Sequence, residues 1–371
     1  MGVHPSQRPV FWPGAPMAVA SAALFGASTP LAKLFLGHGV DAWLLAGLLY
    51  LGSGLGLGTI HLVRGALGLS SSEAPLRRGD LPWLALVILA GGLIGPVLLM
   101  IGLTRTPASS AALLLNLEGV ATMTMAWVVF KENVDRRLLI GAAAILAGAL
   151  LLSWRGGPSG AGLGALAIAG ACVAWGVDNN LTRKLSSADP VQLAAIKGLV
   201  AGAVNLAIAF ARGAHAPSPG LIASGMVTGV FGYGISLVMF VLALRHLGAA
   251  RTGAYFSTAP FLAAALGLML FREPITVQLV GAGLLMAVGV YLHLSERHDH
   301  AHDHPSIEHE HRHVHDEHHQ HAHASEDPPD EPHTHWHHHT AMRHRHPHYP
   351  DLHHKHRHPS QLEQPDSVDQ T

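Results

Sequence analysis

From about residue 16 to residue 294 the chain is a succession of long apolar runs broken by short polar loops. An apolar stretch of roughly 18 residues or more can cross the ~30 Å hydrocarbon core of a bilayer as a helix. The reading is an all-α membrane protein with about ten transmembrane helices. They are expected roughly at 16–36, 42–63, 81–103, 107–129, 137–153, 162–183, 190–211, 219–244, 249–271 and 275–294. The first run is too long for a signal h-region and lacks a small-residue cleavage site, so it reads as a span. Whole-chain averages, 49% hydrophobic and 13% charged, merge this domain with a different polymer, because the sequence is almost wholly polar from Ser295 onward. Cys172 is the sole cysteine, which rules out an intramolecular disulfide.

The apolar part is duplicated. The stretch Thr104–Glu132 carries one carboxylate, Glu118, at its middle, and a faint second version, Arg245–Glu273, lies 141 residues later. With Phe130 on Phe271, Leu103 falls on Leu244, Ala108 on Ala249, Glu132 on Glu273 and Gly148 on Gly289. Four segments follow: an N-terminus over 1–15, a five-helix repeat over 16–153, a second over 162–294, and a tail over 295–371. Five is odd, so the second repeat enters the membrane inverted, the plan of many secondary transporters, whose sites lie at the midplane between repeats. With the N-terminus inside, inner loops hold Arg64, Arg77, Arg78, Lys131, Arg136, Arg137, Arg183, Lys184, Arg245 and Arg251. The outer ends hold Lys33, Arg105, Arg155, Arg212 and Arg272. The excess inside places both termini in the cytoplasm.

Such transporters interrupt their helices at matching positions of the two repeats. Ser28-Thr29-Pro30 of span one aligns with Asp178-Asn179-Asn180 of span six when Phe25-Gly26 is set on Trp175-Gly176. Pro30 is expected to kink its helix, and the asparagines compete with the backbone for hydrogen bonds. Gly91-Gly92 and Gly95-Pro96 in span three match Gly229, Gly232 and Gly234 in span eight. Gly52, Gly54, Gly56 and Gly58 imitate a nucleotide fingerprint, but that motif needs a strand before it. Inside an apolar span, such glycines let helices approach closely.

Charges at membrane depth are costly and usually mark function. Glu118 lies near mid-span. Asp178 and Lys197 stand nine and ten residues either side of Ser187, so an antiparallel hairpin of spans six and seven brings them to one depth, roughly 14 Å in. They are expected to pair, either to neutralise each other and fix register or to line a cavity. Glu118 is costly to ionise in a low-dielectric site, which suits a group that takes and releases a proton; a neutral Glu bonded to a neighbouring helix is the other reading. Asn116, Trp175, Asn179, Asn180 and Pro30 complete the candidate substrate and coupling set. No nucleophile–base set or phosphate-binding loop is present, and neither enzymatic activity nor nucleic-acid binding is expected.

Ten spans in two halves, with ALLLNLEGV, AWVVFKE and TAPFLAAALGLMLFRE, resemble the EamA-type branch of the drug/metabolite transporter superfamily over about residues 17–294. The resemblance implies a ten-helix inverted-repeat fold in the bacterial inner membrane and transport, commonly export, of small metabolites. The family pattern has a proline after the Leu-Glu of span four; Gly119 stands there, whereas Ala259-Pro260 keeps it in the second half.

The tail holds 24 of the 30 histidines, between His298 and His358. With almost no aliphatic content and many prolines it is expected to be disordered. Its His-x-His repeats read as metal binding, with Zn, Ni, Co or Cu suited to imidazole. Candidate ligands are His298, His300, His302, His304, His309, His311, His313, His315, His318, His319, His321 and His323. No cofactor is required. A solvated, incidentally binding tail and a pH-responsive polyelectrolyte are the competing readings. The leading expectation is a secondary exporter of a small polar metabolite, with proton exchange as candidate coupling. Export of divalent metal or a metal chelate, and a non-transporting membrane-anchored metal sensor or store, stand beside it.

Overall fold

The computed structural model describes residues 14–67, 76, 78–129, 134, 136–154, 162–182, 185, 189–240, 242–243, 252, 255–294 and, in the tail, 298–304, 307–313, 333–339 and 342–348. Residues 1–296 and 297–371 form two separate compact units. The first is helical. Helices α1 (Gly14–Gly37) and α2 (Ala42–Ala66) are joined through Gly39, whose φ of 82° suits a residue without a Cβ. Asp41 caps α2 by accepting from the Trp43 and Leu44 amides at 2.9 and 3.1 Å. The third span, Arg78–Arg105, contains α3 (Leu81–Val87), a π-helical segment π1 (Ile88–Ile94) and α4 (Gly95–Arg105). The fourth, Ala108–Val128, is α5 (Ala108–Leu114) and α6 (Leu117–Val128) on either side of a turn. Helix α7 (Arg136–Ser153) closes the first repeat.

The second repeat runs through α8 (Leu163–Thr182) and α9 (Pro190–Ala211). The helical stretch Pro219–Phe240 follows, holding α10 (Pro219–Gly229) and a second π segment, π2 (Val230–Ile235). Then come α11 (Ala259–Phe271) and α12 (Val277–Leu294). Among the described residues eight helices are long and apolar enough to cross a membrane, against the ten expected. The expected sixth and ninth spans correspond to α8 and α11. Helix α8 has 20 residues, but Asp178-Asn179-Asn180 makes it less apolar, and α11 is described over 13 residues.

Two of the interruptions occur in both repeats. π1 and π2 fall on each other at the 141–142-residue offset of the duplication. In span four the amides of Leu115, Asn116 and Glu118 bond three residues back, and in span nine Thr258 does the same to Tyr255 and Phe261 to Thr258. Pro30, by contrast, sits inside an unbroken α1. The span-four turn forms without the proline of the second half.

The repeats interlock through small residues. Helices α2 and α9 cross where a methyl on Gly198 would lie 2.6 Å from the Gly54 nitrogen, and α2 meets α10 where one on Gly52 would strike the Met226 carbonyl. Helices α7 and α12 cross at Gly141 and Gly289, where a methyl on Gly289 would lie 2.6 Å from the Gly141 oxygen. The expected packing role of the glycine run therefore holds for Gly52 and Gly54, and Gly56 meets the Val230 side chain; Gly58 faces open space. At the α4–α5 corner, Lys33 donates to the carbonyls of Leu103 (3.0 Å) and Thr106. Glu273, from the other repeat, accepts from the amides of Ala108 (2.6 Å) and Ser109 (3.0 Å) and from the Ser109 hydroxyl. A cation thus meets the end of one helix and an anion the start of the next, each matching the local dipole.

The tail is described in four segments. It contains strands β1 (His298–His304), β2 (Ile307–His313), β3 (His333–His339) and β4 (Met342–His348). β1 pairs with β4 and β2 with β3, both antiparallel, as two separate two-stranded ribbons. The His-x-His repeat has period two, which is the strand's own period; composition alone does not reveal that match. The side chains of the tail histidines, and all of His315, His318, His319, His321 and His323, lie outside the described residues.

Candidate functional site

The site is built around the break in span three. Pro96 has no N–H, so the one amide donor that would reach the carbonyl of Gly92, four residues back, or of Gly91, five residues back, is missing. In a bilayer such groups must be satisfied by the protein itself. Three helices supply the donors. Tyr50 of α2 donates its hydroxyl to Gly91 O at 2.6 Å, Trp175 of α8 its Nε1–H to the same oxygen at 3.1 Å, and Asn205 of α9 its amide to Gly92 O at 2.9 Å. Gly91 also admits a carboxylate: a methyl on it would overlap the Asp178 side chain.

Asp178, 5% exposed, forms the ion pair with Lys197 that the hairpin spacing predicts, and its Oδ1 also accepts from the Thr182 hydroxyl at 3.3 Å. The next residue of α8 turns to another helix. Asn179 donates to Glu118 Oε1 at 3.0 Å and to the Thr122 hydroxyl at 3.2 Å, both on α6. Asn180 donates to the Thr122 and Gly176 carbonyls at 3.0 and 2.8 Å, and its buried Oδ1 has no partner. One turn of α8 therefore ties the ion pair on its α9 side to Glu118 on its α6 side. Glu118 lies within electrostatic reach of Asp178, Lys197, Tyr50 and Tyr233.

An aromatic string borders this cluster. Ring centroids lie 5.5 Å apart for Tyr50–Tyr233, 5.9 Å for Phe25–Tyr233, 5.3 Å for Phe25–Phe256 and 4.9 Å for Phe240–Phe256. Both repeats contribute rings. Five of the expected residues thus come together: Glu118, Trp175, Asp178, Asn179 and Lys197, with Asn180 beside them. Asn116 does not join, since it donates to Leu113 O and lies 3.9 Å from the Met286 sulfur on α12. Pro30 is buried in α1. Tyr50, Thr122, Asn205 and Tyr233 were not anticipated; Asn205, a polar residue deep in an apolar run, was the one with a visible signal.

Two further features lie elsewhere. An open recess of about 1000 Å³ sits at the α4–α5 corner, lined by Thr106, Ser109, Trp154, Glu273 and Gln278 among others. Among the described residues no three His, Cys, Asp or Glu side chains converge to hold a metal.

The fold is shared with a solved crystal structure at a TM-score of 0.54 and 22% identity, covering 75% of this chain and 95% of the other; at that identity the likeness concerns the fold alone. An uncharacterized transporter of Methanothermobacter thermautotrophicus is 28% identical over 239 residues, 62% of this chain and 70% of the relative. The EamA-like transporter family model matches twice, over residues 12–154 and 162–295, one match per repeat. The chain is a member of the EamA-like transporter family, a multi-pass membrane protein of a class that moves small molecules across the bilayer.

Proposed function

We propose that the chain is a ten-span secondary transporter exporting a small polar metabolite across a bacterial inner membrane, with both termini cytoplasmic and Glu118 as the group that exchanges a proton or meets the substrate. The supporting observation is the α8 turn that joins Glu118, through Asn179, to the Asp178–Lys197 pair. Two carboxylates face one ammonium there, which leaves the cluster one positive charge short when Glu118 is ionised. A proton or a cationic group of the substrate fills that deficit, and the aromatic string suits the latter. Proton and substrate competing for one carboxylate give exchange. The test is transport in proteoliposomes under an imposed pH gradient. Glu118→Gln abolishes gradient-driven exchange while leaving substrate counterflow measurable; unchanged dependence on the gradient sinks the reading.

The His-rich tail supports a second element, a cytoplasmic domain that binds divalent metal and buffers or senses it. Deleting 295–371 then lowers metal tolerance with transport retained. Transport that changes only with metal supply would instead mark metal, or its chelate, as the cargo.

A further inference from the structure

The polar cluster is packed over on one side and open on the other. On α8, Ile168, Cys172, Trp175 and Asn179 follow one another at steps of four, three and four residues and so share one face. The first three are buried, whereas Asn179 is exposed. That face leaves the packed core at the level of Glu118, to which Asn179 is bonded, and opens toward the end where α8 finishes. In the other direction packing is continuous: Ala32 and Phe35 of α1, Leu99, Met100 and Leu103 of α4 and Leu114 of α5 belong to one buried cluster. On the proposed topology the opening is cytoplasmic and the continuous packing lies on the outer side.

The packed end carries the α4–α5 corner. Helix α11, from the second repeat, lies so close to α5 of the first that a methyl on Gly267 would come within 2.9 Å of the Ala108 side chain and 3.0 Å of the Ser109 nitrogen. A seam of small residues supplies dispersion without directional bonds. The directional bonds come from Glu273, just past α11, which accepts from the amides of Ala108 and Ser109 and from the Ser109 hydroxyl. Lys33 of α1, within electrostatic reach of Glu273, holds the carbonyls of Leu103 and Thr106 on the other arm of the corner.

The residue before the carboxylate is strained. Arg272 has φ 50° and ψ 40°, the left-handed region that glycine usually fills after a helix. Among the described residues no other non-glycine has a positive φ. Such strain persists where surrounding contacts over-determine it, and it collects at switch regions. Glu273 and Lys33 are each half-buried, so water can replace their partners when the corner parts, which it cannot do as readily for the buried Asp178.

We infer that the α4–α5 corner is the outer gate of the transport path and that Glu273 is its latch, with Lys33 bracing the corner from α1. The structure is the outwardly closed state, and opening frees the Glu273 carboxylate from Ala108 and Ser109. The inference rests on the transporter reading, in which one repeat rocks against the other about a fixed site, and assigns the contact that the rocking breaks.

The test uses the full chain carrying Cys172→Ser, so that introduced cysteines are the only thiols. Spin labels at Thr104→Cys and Ile275→Cys, both exposed, measure the width of the corner in nanodiscs by double electron–electron resonance. In a separate protein, Asn179→Cys reports access to the site through its rate of reaction with a membrane-impermeant maleimide, in spheroplasts for the outer side and in inverted vesicles for the cytoplasmic side. With Glu273 intact, one short corner distance and faster labelling in inverted vesicles are expected. Glu273→Gln raises the ratio of long to short distances about tenfold or more, the weight of a hydrogen bond to a charged group. It also speeds labelling in spheroplasts and slows it in inverted vesicles. Ser109→Ala, which removes one of the three bonds and leaves the fold intact, shifts both readouts the same way by less. Corner distances unchanged in both variants, a wider corner with unchanged sidedness of labelling, or faster labelling of the unlatched-free parent in spheroplasts overturns the gate. Gradient-driven exchange by the wild type tests the transporter reading separately and does not depend on these distances.

Discussion

The Gly91 carbonyl offers a quantitative test of how the span-three break is stabilised. It accepts from Tyr50 at 2.6 Å and from Trp175 at 3.1 Å. Pro96 removes the backbone donor a π-helical turn would bring to it. Tyr50→Phe deletes one oxygen and leaves the ring against Tyr233, with Trp175 still bonded, so the loss is about 0.5–1.5 kcal/mol. Trp175→Phe costs a similar hydrogen-bond increment plus packing area. The double variant leaves a buried carbonyl with no partner, which adds about 1–3 kcal/mol of desolvation. The double change should therefore exceed the sum of the singles by about 1 kcal/mol or more. Packing losses from the smaller ring appear in both arms of the double-mutant cycle and cancel. Equilibrium unfolding in mixed micelles, on all four proteins at one detergent composition, measures the coupling. Strict additivity, or Tyr50→Phe without effect, would refute the claim that Pro96 orphans this carbonyl and that side chains replace its lost donor.

Removing one partner of the buried Asp178–Lys197 pair should be worse than removing both. Asp178→Ala or Lys197→Met costs about 3–5 kcal/mol, whereas the two together fall well short of the sum, read as thermal stability by size-exclusion recovery after heating. Glu273→Gln keeps the size of the side chain but removes the charge at the start of α5; a loss of about 1–2 kcal/mol is expected from the weakened cap and dipole terms, with Glu273→Asp intermediate. Gly229→Ala places a methyl on the Leu49 carbonyl; a loss of about 1–3 kcal/mol is expected, while Gly58→Ala, facing open space, is the silent control in the same melting assay.

Much of the architecture is legible from pattern because the bilayer reduces the problem to apolar length, and the duplication then supplies positions to compare. Glycines at matched depth in spans three and eight pointed to interrupted helices, and the structure has a π segment at each; counting nine and ten residues from Ser187 sufficed for the Asp178–Lys197 pair. Pro30 misled for a physical reason: a single missing donor in a membrane helix can be absorbed without ending it. The span-four turn escaped notice because Gly119 occupies the place of the proline that signals it in span nine. Tyr50 and Tyr233 carry no periodic signal, since an aromatic in an apolar run is indistinguishable from packing until its hydroxyl has a partner. Asn116 stands two residues before Glu118, and two residues along a helix rotate a side chain by about 200°, here toward Met286.

The α4–α5 corner bears on how the chain is made. Glu273, which holds the amides of Ala108 and Ser109, is separated from them by 165 and 164 residues. At roughly 5–20 residues per second of synthesis, the ribosome delivers it about 8–33 s after the helix start it caps. During that interval the start of α5 lacks the carboxylate that caps it. The two halves are thus not successive domains that mature in turn. The first waits for the end of the second to finish one of its own turns, and two halves expressed from separate messages would have to meet before either reached its final shape.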